Sequence, residues 1–80
     1  GMVEAEILAA DYDERMLTVR FEEDDETARV LVPENAELVL TAPNNLTRDI
    51  ELTELRVGDQ VALEGVQLEG AMHLRIISIS

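Results

Sequence analysis

Hydrophobic and polar positions alternate along most of this chain, the two-residue period of strands that turn one face to a core. Val3, Ala5, Ile7 and Ala9 share one phase and Glu4 and Glu6 the other, which predicts a strand over residues 3–10. Asp11-Tyr12-Asp13-Glu14 reads as a turn, after which residues 15–22 bring Leu17, Val19 and Phe21 to the core side. The acidic stretch 22–26 reads as a hairpin tip, and residues 27–33 follow with Ala28, Val30 and Val32 inward. Placing the second tip at Asp24-Asp25 sets Arg20 opposite Arg29, Val19 opposite Val30 and Leu17 opposite Val32. Turning the first hairpin at residues 12–14 sets Asp11 opposite Arg15, Ile7 opposite Val19 and Glu6 opposite Arg20. Every apolar face then agrees, so a three-stranded meander is expected.

The rest of the chain is shorter in its periods. Pro33-Glu34-Asn35 ends the third strand, Leu38-Val39-Leu40 is a brief apolar run, and Ala42-Pro43-Asn44-Asn45 is loop chemistry. Ile50 and Leu52 alternate with Glu51, and Thr53 is placed to cap a brief 3₁₀ turn. No window carries a sustained 3.6-residue period, so no long helix is expected. In the last hairpin Val61 and Leu63 share a phase that Val66 and Leu68 reverse after Gly65; Met72, Leu74 and Ile76 give way similarly to Ile77 and Ile79. A three-residue turn at Glu69-Gly70-Ala71 sets both reversals at one level, as a sharp bend with glycine at the corner would. Bent strands close small barrels. The expected fold is therefore all-β, a single domain over residues 1–80, built as a five- to six-stranded antiparallel barrel, OB-like with SH3-like as the alternative.

Composition narrows what such a domain does. Eighty residues bury only a modest core, about 60% of the unfolded surface. Without cysteine there is neither disulfide framework nor thiolate metal site. Eighteen acids face six arginines, for a net charge of −12. Phosphate backbones and anionic lipids are repelled by such a field, so neither a nucleic-acid nor a membrane partner is expected. No apolar run approaches the roughly 18 residues of a membrane span, which reads as a soluble chain of undetermined compartment. Gly1 before Met2 reads as a cleavage remnant.

One segment is sharper than the rest. Leu55-Arg56-Val57-Gly58-Asp59-Gln60-Val61 resembles the Leu-x-Val-Gly-Asp-x-Val turn-strand of a family of bacterial small OB-like β-barrel domains of unknown function. The turn at Asp11-Tyr12-Asp13 and a closing strand over residues 74–79 match that family loosely. The resemblance implies an OB-like barrel and brings no activity with it.

Candidate chemistry is thin. His73 is the only histidine, and Ser78 and Ser80 are the only serines, both at the end of the chain; a working base needs a positioned nucleophile and an orienting group. No enzyme is expected, and no cofactor. The turns at Asp11, Asp13 and Glu14 and at residues 22–26 are oxygen-rich but lack the glycine and spacing of a calcium loop, so no metal site is assigned. The meander's outer face is more suggestive. Leu8, Thr18 and Leu31 would form one row and Ala10, Met16 and Pro33 the next, an apolar patch that calls for a cover. That cover is either the segment 38–57 or another protein. Leu8, Met16, Leu31 and Pro33 are thus the candidate interface of a non-catalytic module acting through a protein partner or as a homodimer. The alternative is a small-molecule or divalent-cation-binding domain using the acidic hairpin loops.

Overall fold

A computed structural model describes residues 1–79, so the sequence reading of Ser80 lies outside the described residues. Among the described residues the chain is all-β: β1 (Val3–Asp11), β2 (Met16–Phe21), β3 (Thr27–Leu31), β4 (Glu37–Thr41), β5 (Thr47–Asp49), β6 (Gln60–Leu68) and β7 (Ala71–Ile79), with one 3₁₀ turn at Leu52–Glu54. Seven strands form one mixed sheet in the order β3-β2-β1-β6-β7-β4-β5. All neighbours are antiparallel except β4 and β7, which run parallel. The sheet is not closed by a β3–β5 pair. Seven strands with one parallel pair replace the expected five or six antiparallel ones. Among the described residues no helix is long and apolar enough to cross a membrane.

The meander forms as its alternation requires, with two changes of register. Ile7 faces Val19 and Glu6 faces Arg20, as expected, but a bulge at Leu8 shifts the pairing so that Asp11 meets Met16 and not Arg15. In the second hairpin Val19 faces Ala28 and Leu17 faces Val30, two positions from expectation. The cause lies in the turn. Asp25 adopts a left-handed φ of 60° and its N–H bonds the Phe21 carbonyl, so the tip spans residues 22–25 and is centred one residue earlier. A two-residue slip keeps every side chain on its face, so the core survives the error. Arg20 and Arg29, however, are no longer partners: Arg20 sits opposite Thr27 and Arg29 opposite Thr18.

The last hairpin turns differently from its prediction. Glu69 and Gly70 both have positive φ, 51° and 81°, the signature of a two-residue type I′ turn. Leu68 therefore pairs with Ala71, and Leu63 with Ile76 rather than Ile77. The ladder runs through Gly65 opposite Leu74 without a break. Gly65 is no corner; a Cβ there would lie 3.4 Å from Met72 Cε, so it leaves room for the neighbouring strand's methionine. The reversed phase simply points outward, where Ala62, Ile77 and Val39 make one cross-strand row.

Ile7, Leu17, Leu55, Ile76, Val19, Val32 and Val61 are fully buried and form the centre of the core. Ile50, Leu52 and Leu55 join the same cluster, so the segment after β5 packs onto the core side of the sheet. Two attachments hold it there. The Tyr12 hydroxyl donates to the Leu55 carbonyl at 2.7 Å, tying the first turn to a residue 43 positions later. Beyond it, Arg56 to Asp59 form a tight turn: Asp59 N–H donates to the Arg56 carbonyl and Asp59 Oδ2 accepts the Arg56 N–H, both at 3.0 Å. Gly58 supplies the φ of 93° that the third position of such a turn demands. The turn then bonds β1 directly, Gly58 N–H to the Ile7 carbonyl at 2.8 Å and Ile7 N–H to the Asp59 carbonyl at 3.0 Å.

Gly58→Ala is expected to cost about 1–2 kcal/mol, the penalty of a Cβ at positive φ, and Tyr12→Phe about 1 kcal/mol for its one hydrogen bond. Urea unfolding followed by circular dichroism checks both. Neutral results at both positions would contradict the attachment described.

Candidate functional site

The candidate interface residues fall on the meander, but the bulge at Leu8 and the two-residue slip of β3 rearrange them. The rows are now Ala9–Thr18–Arg29 and Asp11–Met16–Leu31. Ala10 has turned to pack against the core, leaving the expected outer row. Leu8 is half-buried at the bulge, Met16 is half-buried beside Leu31, and Leu31 is 59% exposed. Pro33 is exposed beyond the end of β3. The apolar patch is therefore narrower than the sequence suggests, a Met16–Leu31 pair flanked by Asp11 and Arg29. The segment 38–57 does not cover Leu31, which stays 59% exposed; Ile50, Leu52 and Leu55 of that segment lie in the core instead.

Arg15 was not singled out by the sequence and turns out to shape this surface. With a left-handed φ of 54°, it directs its guanidinium along the exit of β3, donating from Nε to the Val32 carbonyl at 2.7 Å and from Nη2 to the Pro33 carbonyl at 3.2 Å. Glu34 lies 3.8 Å from Nε. The Arg15 backbone carbonyl accepts the Val32 N–H at 2.8 Å. The chain beyond β3 is thereby fixed although the strand itself ends at Leu31, and Val32 is held fully buried. Arg29, by contrast, pairs with no carboxylate within 4.0 Å among the described residues.

The acidic turns spend their oxygens on the backbone. Asp11 Oδ1 accepts the Glu14 N–H at 3.1 Å and Asp24 Oδ1 the Glu26 N–H at 3.0 Å. Among the described residues no three carboxylate or imidazole groups converge as a metal site would require. His73 Nδ1 lies 3.2 Å from the Asn35 carbonyl, which can only accept, so that nitrogen donates.

Elsewhere the arginines lace the outer face. Arg20 pairs with Glu6 across β1 and β2. Arg75 donates from Nε to Glu37 at 2.8 Å and from Nη1 to Glu64 at 2.9 Å, spanning β4, β7 and β6 in one row. These two hydrogen bonds, first to Glu37 and then to Glu64, raise the arginine's pKa further. Nothing local in the sequence announces this row, because it depends on the parallel pairing of segments 38 residues apart. The 3₁₀ turn is capped by Glu51, with Thr53 inside it: Glu54 Oε2 accepts the Glu51 N–H at 2.9 Å, and Oε1 accepts from Arg48 at 3.2 Å.

Comparison of the chain with the profiles of known families, with curated proteins and with solved structures finds no match in any of the three.

The Glu54 carboxyl is held below its ordinary value, chiefly by the Glu51 N–H and secondarily by Arg48. A carboxylate depressed by folding stabilises the folded state above the unfolded pKa, and that contribution is lost as pH falls through the folded one. In an NMR titration Glu54 should therefore titrate below the ordinary glutamate value. Arg48→Ala should raise the midpoint only part of the way, since the backbone bond remains. Full return to the ordinary value would reverse the order of causes.

Proposed function

We propose that this chain is a non-catalytic OB-like barrel module that acts through protein contact, with a second copy meeting it at the outer face and free edge of β3. The barrel reading is supported by strand direction. β3 and β4 point the same way, separated by residues 32–36. Counted as one interrupted strand, they complete a ring of five: β1, β2, β3 with β4, β7, β6 and back to β1. A partly open five-stranded barrel of that kind is OB-like.

The observation that carries the contact reading is Leu31. It stands 59% exposed beside Met16 on a strand whose other edge has no partner among the described residues. An open edge offers unpaired backbone donors and acceptors to another chain. The unpaired guanidinium of Arg29 in the adjoining row offers an acidic second copy a favourable contact. Full burial of an exposed leucine is worth about 1.5–3 kcal/mol, of which Leu31, 59% exposed, and the half-buried Met16 would each recover a part.

Size-exclusion chromatography with light scattering at moderate salt is expected to give twice the chain mass of 8.9 kDa. Leu31→Glu is expected to return it to 8.9 kDa with an unchanged circular dichroism spectrum. A wild-type monomer at all concentrations, or a dimer indifferent to Leu31→Glu, contradicts the proposal.

A further inference from the structure

At the opposite end of β2 from Leu31, the core is open. Val3 and Phe21 lie on the core-facing side of β1 and β2, continuing the line of Ala5, Ile7, Val19 and Leu17. Yet Val3 is 44% exposed and Phe21 only partly covered. With Met2, 58% exposed, they floor a groove of about 520 Å³ between the start of β1 and the β2–β3 tip. The mouths of small barrels are a common place for ligands to enter.

The walls of the groove carry one sign of charge. Glu4, Glu22, Glu23 and Asp24 line it, and among the described residues no basic one does. None of the four carboxylates pairs with an arginine among the described residues. The tip is nevertheless ordered from within: the Glu22 N–H bonds the Glu4 carbonyl at 3.0 Å and Asp24 Oδ1 takes the Glu26 N–H. An apolar floor bordered by acidic residues, with Glu22, Glu23 and Asp24 at the tip making no ion pair, selects against most occupants. At this rim, where no described basic residue offsets the carboxylates, a second copy carrying −12 of its own is repelled. An acidic or phosphorylated segment is repelled too. A purely cationic chain gains nothing from Val3 and Phe21.

The geometry points to a partner protein's basic segment as the occupant, an extended stretch that alternates arginine or lysine with aliphatic side chains. Its apolar side chains cover Met2, Val3 and Phe21, completing the core's open end, while its cations face the rim. This deepens the protein-contact reading by naming a partner class, and it uses a surface separate from the Leu31 face. Complementary charge at such a rim sets partner choice and association rate more than affinity, so binding weakens as salt rises.

The test is a two-dimensional amide NMR titration of the whole chain. The probe is a capped peptide of about six residues alternating arginine and leucine, enough to span the groove when extended. Hexaarginine and the matching glutamate–leucine peptide are the comparisons. Saturable shifts confined to Val3, Glu4 and residues 21–24 are expected with the alternating basic peptide alone. The triple variant Glu22→Gln, Glu23→Gln, Asp24→Asn should weaken it about tenfold, three exposed charge contacts being lost together. Val3→Thr, at a half-exposed position outside the buried core, should weaken it with the sheet's spectrum retained. Hexaarginine binding equally well would reduce the groove to a diffuse acidic surface and overturn the inference, as would the absence of saturable shifts. Shifts centred on Met16 and Leu31 would overturn it as well, while leaving the protein-contact reading standing.

Discussion

Ile7 is hydrogen-bonded through both its N–H and its carbonyl to one turn, the Gly58–Asp59 corner that precedes β6. Its side chain is fully buried at the centre of the core, and the bulge at Leu8 follows immediately. The strands beyond β1 are joined to it at this junction, along the short β1–β6 ladder and through the Tyr12–Leu55 bond. β6 pairs with β1 only over Val3 to Glu6, so the turn extends a short ladder by one further backbone exchange. β7 is held by β6, β4 by β7 and β5 by β4, each reached only through its neighbour. The Val-Gly-Asp turn is therefore explained by structure. Glycine meets the backbone angle and aspartate closes the turn, so both residues carry a structural role.

What could be read in the sequence follows from how far each signal reaches. Alternation over β1 to β3 fixes which side chains face inward, and the faces of Ile7, Leu17, Val19 and Val32 emerged as read. Register is set by turns, and turns were legible only in part. Asp25 and Glu69 adopt left-handed φ without being glycine, and each moved a hairpin off its expected pairing. The second-hairpin slip by two was harmless to the core and costly to the surface: it separated Arg20 from Arg29 and rebuilt the candidate interface around Met16 and Leu31. β5, Thr47–Asp49, was missed because all three of its residues are exposed and none is apolar. The β4–β7 pairing joins segments too distant for any local pattern to show.

Charge distribution connects the fold to the proposed uses of its surface. Six arginines cannot balance eighteen acids, so where they are spent matters. Arg75 and Arg20 are spent across strands, Arg48 on the 3₁₀ turn, and Arg15 on the carbonyls at the end of β3. Exposed pairs contribute little each to stability; their larger effect here is to leave Glu22, Glu23 and Asp24 without a counter-charge. The same chain thus presents two unlike ends: an open edge with an unpaired arginine, and a groove lined by acidic residues without ion pairs.

Native-state hydrogen exchange at residue resolution tests the central junction most directly. If the Ile7–Gly58 exchange holds the two parts of the sheet together, the amides of Ile7 and Gly58 open only with global unfolding, in the same slowest class as the buried strands of the meander. Rapid exchange of both amides by local opening, with the meander still protected, would contradict the account.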